Sequence, residues 1–142
     1  MPENTVFPVP GILFACGHWL ENGKTEPDIQ ACCTSLAKLG LVVLVFDPIG
    51  QGERGPRWSD HGHLETLLVG LSQAGLAVWE HIRALDFLSS LKEVDPDRIG
   101  MTGASGGGLY TVYTSALDER VKVMVPVCYV TSFLPFLKSM RG

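Results

Sequence analysis

Positive charge is scarce in this sequence: 15 acidic residues stand against 11 basic ones, a formal net charge of −4 over 142 residues. Such a chain carries no basic field for nucleic acid or anionic lipid, so neither is an expected partner. Long hydrophobic runs are missing as well. The longest strongly apolar stretch, residues 39–46, is broken by Gly40 and falls far short of the roughly 20 residues that cross a bilayer. The N-terminus, Met1-Pro2-Glu3-Asn4, has neither the basic start nor the apolar core of a secretory signal, and the expected location is cytoplasmic. Cysteine is sparse, at four (Cys16, Cys32, Cys33, Cys128), and no CxxC spacing occurs, which argues against a zinc or thiol-redox centre. The four are expected to be buried thiols that pack as small hydrophobes. Neither a metal nor an organic cofactor is expected.

Apolar residues, by contrast, are plentiful. At 46% hydrophobic and 18% charged the chain is not disordered, and a chain of this length buries roughly 70% of its unfolded surface. One domain over residues 1–142 is expected, with 1–10, rich in proline (Pro2, Pro8, Pro10), as an extended lead-in.

Residues 11–16 and 41–46 are short continuous apolar runs, the pattern of strands buried on both faces. Residues 98–102 and 121–127 supply a third and a fourth strand, and Val94-Asp95-Pro96-Asp97 reads as a turn. A helix is expected over about 28–39, with Ile29, Cys32, Cys33, Leu36 and Leu39 at helical spacing and Gly40 as its stop. A long helical pattern covers about 64–91, where Gly70 and Gly75 invite a bend or a division into two. A last helix spans about 107–117. Strands alternating with helices imply right-handed crossovers and a parallel sheet, whose C-terminal strand ends share one edge. Gly17-His18, Asp47 and Ser105 all fall at such ends.

Three motifs compete. Gly103-Ala104-Ser105-Gly106-Gly107 matches G-x-S-x-G between a strand and a helix. The spacing has a physical reason: small residues on both sides let neighbouring backbone approach the turn that projects the serine hydroxyl, and the amide of Gly106 then faces the oxygen of an attacked carbonyl. A dinucleotide turn over the same residues fails, because Leu109 and Ser105 occupy glycine positions and the strand at 121–127 does not end in an acid. Residues 18–25 match a Walker A phosphate loop except that His18 replaces the first glycine, so nucleotide binding through Gly23-Lys24-Thr25 is the alternative reading.

Around the serine turn, Cys16-Gly17-His18-Trp19 with Gly23-Lys24, then Phe46-Asp47-Pro48-Ile49-Gly50-Gln51-Gly52-Glu53-Arg54, then Asp97 through Gly108 together resemble the α/β-hydrolase superfamily. The likeness is to its bacterial acetyl xylan esterase-like and prolyl oligopeptidase-like branch, over about residues 11–128. This resemblance implies a three-layer α/β/α sandwich with a mainly parallel sheet, the central portion of an α/β-hydrolase fold, in the spatial order second, first, third, fourth strand. It also implies hydrolysis of a small-molecule ester with Ser105 as nucleophile. Gly106 N–H would be one oxyanion donor and Trp19 N–H the other, with His18 beside it. Asp47, Gln51, Glu53 and Arg54 would support the site from behind, through an Asp–Arg or Glu–Arg tie within their loop.

One part of that pattern is missing. The superfamily runs serine, acid, histidine, yet no histidine follows Ser105 and nothing acidic follows Glu119. A serine hydroxyl without a base is a poor nucleophile at neutral pH. His61 and His63 read as solvated loop residues and His81 as a structural one. The expectation is therefore a partial chain that does not turn over esters alone. Its outermost strands, 41–46 and 121–127, would be bare apolar edges open to self-association, so a non-catalytic associating fragment is a further alternative.

Overall fold

The computed structural model describes residues 5–19, 21–55 and 64–132. Four parallel strands form one sheet: β1 (Val9–Ala15), β2 (Val42–Phe46), β3 (Val94–Ala104) and β4 (Val121–Val127), in the order β2-β1-β3-β4. Gly11 to Ala15 of β1 pair with Val42 to Phe46 on one side and with Ile99 to Gly103 on the other. The helices are α1 (Pro27–Lys38), α2 (Leu64–Leu68), α3 (Gln73–Ser90) and α4 (Gly106–Leu117).

Two buried clusters separate the layers. Phe14, Cys16, Ile29 and Cys33 pack α1 onto one face of the sheet, while Leu13, Leu85, Leu88, Ile99, Met101 and Tyr110 pack α3 and α4 onto the other. This is the expected three-layer α/β/α sandwich. Burial on both faces explains why the central strand β1, with Leu13, Phe14 and Ala15 all buried, reads as an unbroken apolar run.

Local chemistry sets the boundaries. Pro27 opens α1, where its missing N–H costs nothing. At the other end Gly40, with φ +91°, donates to Ala37 O and Leu41 to Leu36 O, a Schellman stop. The long helical pattern divides at Gly70 (φ +74°), and Ser72 caps α3 by accepting the Gly75 N–H at 3.0 Å. Gly75, the other suspected break, lies inside the first turn of α3.

Two expectations need correction. Val94–Asp97 is the first part of β3 rather than a turn before it: Val94, 3% exposed, pairs with Val9, and the register then shifts between Pro10 and Gly11. The turn chemistry is present inside this irregularity, since Asp95 accepts the Asp97 N–H and binds Arg98 at 2.6 Å, and Pro96 falls where a ladder donor is not needed. The cysteines also divide: Cys16 and Cys33 are buried, but Cys32 and Cys128 are exposed. Burial pushes the Cys16 thiol up to about 12 and that of Cys33 to about 11, so both stay protonated and inert. His61 and His63 lie outside the described residues.

Candidate active site

Ser105 stands between Ala104, the last residue of β3, and Gly106, the first of α4, in a conformation rare for a side-chain-bearing residue, φ 56° and ψ −117°. Backbone of this kind costs on the order of 1–3 kcal/mol and persists only where the surroundings fix it. Here they do so through main chain. Ser105 N–H donates to Val127 O of β4 at 2.9 Å, and Ser105 O accepts Leu109 N–H at 3.1 Å. Gly103 and Gly107 both press on the Ala15 carbonyl of β1, so closely that a Cβ on either would collide with backbone; Gly17 presses likewise on Ala104 O. The two glycines of the G-x-S-x-G pattern are thus required by contact between β1, β3 and α4.

The serine side chain is exposed and, although it stands at an N-cap position, forms no capping hydrogen bond. A serine in a structural role would spend its oxygen on the helix amides. Gly106, buried, is the first residue of α4, one of the helix-end amides without an acceptor in the helix and at the positive end of its dipole.

His18 and Trp19 reach the same edge on the loop after β1. The His18 ring lies over Gly106: a Cβ there would stand 2.8 Å from His18 Cε1 and 2.9 Å from Nε2. The Trp19 N–H is occupied, at 2.9 Å from Gln51 Oε1 and 3.0 Å from Gly17 O.

Behind this front, Asp47 joins two loops. It is 2% exposed, and its carboxylate accepts the Lys24 amide at 2.5 Å, the Lys24 ammonium at 2.9 Å and the Glu53 amide at 3.3 Å. Gly23 and Gly52, at φ +51° and +50°, crowd the same carboxylate and leave no room for a side chain. Burial pushes the Asp47 carboxyl up, but the Lys24 ammonium and the two amides outweigh it and hold the group below the usual carboxylate range. Lys24 also pairs with the exposed Glu53.

The tie expected inside the second loop is therefore made differently. Asp47 and Glu53 both bind Lys24, whereas Arg54 pairs with Glu80 of α3 at 2.6 Å and meets Asp47 only through its main-chain oxygen, at 3.3 Å. Glu80 also accepts the Ile49 N–H. Lys24 and Glu80 are the supporting residues that the sequence reading missed. Lys24 had stood out as a phosphate ligand and as the last residue of the first-loop motif, with no supporting role assigned, and its amide and ammonium are both engaged by carboxylates; nothing marked Glu80 beyond its charge on a helix. His81 is structural, as expected: fully buried, Nδ1 2.6 Å from Ala77 O, its ring between Phe46 and Tyr110 at 4.8 and 5.0 Å. Among the described residues no group of three or more His, Cys, Asp or Glu is placed to hold a metal, and no helix is long and apolar enough to cross a membrane.

Residues 27–139 match the model of the prolyl oligopeptidase family. The chain belongs to that family. It is 35% identical over 136 residues to YtaP of Bacillus subtilis (strain 168), a protein named provisionally as a hydrolase, covering 89% of this chain and 46% of YtaP. Its fold is similar to that of the acetyl xylan esterase of Paenibacillus sp. R4, with a TM-score of 0.75 and 24% identity over 98% of this chain and 46% of the other. It is also similar to Est1E of Butyrivibrio proteoclasticus, solved with ferulic acid, with a TM-score of 0.69 and 23% identity over 89% and 45%. At these identities the two structures speak for the fold alone, that of an α/β hydrolase. The chain spans about half the length of these relatives.

Proposed function

We propose that this chain carries the nucleophile half of a carboxylic-ester hydrolase, with Ser105 as the attacking residue. The observation that carries the reading is the backbone of Ser105: a strained strand-to-helix turn, held by main-chain contacts on both sides, that leaves the hydroxyl exposed and unspent. In the reaction the Ser105 oxygen adds to the ester carbonyl and its proton passes to a base. The tetrahedral oxyanion is held by the Gly106 amide and by an amide of the His18–Trp19 segment, donors of a kind worth ~3–4 kcal/mol each. The alcohol then leaves and water hydrolyses the acyl-enzyme. Asp47, Gln51, Glu53 and Arg54 shape the loop behind these donors and do not react. An ester is proposed over a peptide on the resemblance of the three loop motifs to acetyl xylan esterase-like hydrolases.

The step these residues leave unserved is proton removal, since no histidine follows Ser105. Residues 1–142 alone are therefore expected to hydrolyse p-nitrophenyl acetate near the background rate. Added imidazole, standing in for the base, should raise the Ser105-dependent rate by about tenfold or more, because general-base catalysis contributes ~10²–10⁴. Equal rates for the wild-type chain and Ser105→Ala at every imidazole concentration would remove Ser105 from the mechanism. Strong imidazole-independent turnover that vanishes in Ser105→Ala would mean that a base is already present.

A further inference from the structure

The Trp19 peptide is held from both sides. Its N–H is bound by Gln51 Oε1 at 2.9 Å, across 32 residues of sequence, and its C=O accepts the Gly23 N–H at 2.7 Å. Two residues before it, Gly17 is pressed against Ala104 O, next to the serine turn. His18, whose ring covers Gly106, is suspended between these two fixed points. Gln51 is itself immobilised: 2% exposed, with its N–H on Pro48 O and its C=O accepting from Arg54 N–H at 2.9 Å. Four residues earlier, Asp47 grips Lys24, so the loops after β1 and β2 are tied at two points, one ionic and one neutral. A buried amide side chain is costly unless it is bonded. At Gln51 the bond falls on the very amide that the sequence pattern offers as an oxyanion donor.

Resting on the Ser105 reading, we infer that Gln51 is a positioning residue. Its carbonyl takes the Trp19 amide out of the anion site and fixes the loop so that His18, rather than Trp19, presents its amide beside Gly106. The ester substrate never touches Gln51, which acts through the Trp19 peptide, with Asp47 as the anchor of its loop.

Amide exchange and an anion titration on ¹⁵N-labelled residues 1–142 test this. Gln51→Leu removes the side-chain acceptor and leaves the Trp19 N–H only Gly17 O, at 3.0 Å, while Gln51→Glu retains a side-chain acceptor. Exchange at Trp19 should accelerate about tenfold in Gln51→Leu relative to the core amides of Leu13 and Met101, the loss of roughly one hydrogen bond, and stay within about threefold in Gln51→Glu. Acceleration no greater at Trp19 than at Leu13 and Met101 would overturn the tie. Phenylphosphonate, an anion resembling the tetrahedral intermediate, should shift the amide resonances of Gly106 and His18 and leave Trp19 unmoved; a shift at Trp19 in the wild-type chain overturns the assignment of the donor. No shift at Gly106 at any concentration defeats the anion site, and with it the positioning role, whatever the exchange ratio shows. The two failures are thereby distinguished.

Discussion

The rim around Ser105 and the flank formed by β4 and the outer faces of α3 and α4 are built on opposite terms. At the rim, backbone meets backbone through Gly17, Gly103 and Gly107, and a buried carboxylate and a buried glutamine side chain are bonded across two loops. On the flank, apolar side chains stand uncovered. Val123, Met124 and Val125 of β4 are 63%, 50% and 54% exposed, and a cavity of about 740 Å³ opens between α3 and α4 among Val78, Trp79, Ile82, Leu109, Val112 and Tyr113. The difference teaches where the geometry of the serine turn comes from. Its determinants are main-chain contacts of β1, β3, the first turn of α4 and the Val127 carbonyl at the end of β4, none of which involves the uncovered side chains, so the turn is expected to form whether or not those side chains are covered. Exposed apolar surface of that extent is of the kind that partners cover, and none of it touches the serine turn.

That contrast breaks first at Gly107. A Cβ there would run into Ala15 O and stand 3.0 Å from Ala15 C, atoms of a central strand that cannot move aside. Gly107→Ala is expected to cost about 3 kcal/mol or more in urea unfolding, beyond the ordinary overpacking penalty. A cost below about 1 kcal/mol would mean that the rim is looser than its contacts indicate.

Asp47→Asn comes next, at about 2 kcal/mol, because it removes the charge from hydrogen bonds to a buried carboxylate. The sign with pH follows from the depressed carboxyl. Its stabilisation is complete above the unfolded carboxyl's value of about 4 and is lost as pH falls through the lower folded value. The gap between wild type and Asp47→Asn should therefore close below about pH 4. A gap constant from pH 7 to pH 3 would show that Asp47 contributes through shape alone.

His81, between the two regions, gives a smaller effect of opposite use. Burial lowers the folded imidazole against the raising influence of the Ala77 carbonyl and of Glu80, its nearest charge. The unfolded chain therefore takes up a proton first as pH falls below about 6.5, and wild-type stability declines there. His81→Phe, which keeps an aromatic ring between Phe46 and Tyr110 and removes the titrating group, should gain on wild type by about 1 kcal/mol between pH 7 and pH 5, whatever its offset at pH 7. Parallel stability curves for the two proteins over that range would contradict the buried neutral histidine.

Most of the architecture was legible because it depends on pattern. Apolar runs at 41–46 and, save for Lys122, at 121–127 marked strands, Gly40 marked a helix end, Gly70 with Gly75 marked a bend or division that falls at Gly70, and G-x-S-x-G between strand and helix marked the turn that the backbone of Ser105 adopts. What escaped was pairing at a distance. Nothing in the order of residues says that Asp47 would choose Lys24 over Arg54, or that Gln51 would reach back 32 residues to the Trp19 amide, since both depend on how two loops meet above the sheet. The exposure of Cys32 beside the buried Cys33 escaped for a related reason. Both fit a helical stripe, but the stripe that α1 buries is narrow, with only Ile29 and Cys33 fully covered.

The flank yields the smallest change in stability and the clearest change in behaviour. Val125 lies on an edge strand with its side chain more than half exposed, so Val125→Lys removes little buried surface and should shift unfolding by less than about 0.5 kcal/mol. We propose that the β4 edge, unpaired among the described residues, pairs with a second copy of the chain, and a lysine on such a strand opposes pairing because it must be desolvated when the partner strand docks. In sedimentation velocity the wild-type chain should gain mass with concentration while Val125→Lys stays monomeric, with the Ser105 turn, read from the Gly106 and Leu109 amide resonances, unchanged. If both proteins associate equally, β4 is not the contact; if Val125→Lys disturbs Gly106, the rim and the flank are coupled after all, and the independence of the serine turn from its surroundings fails with it.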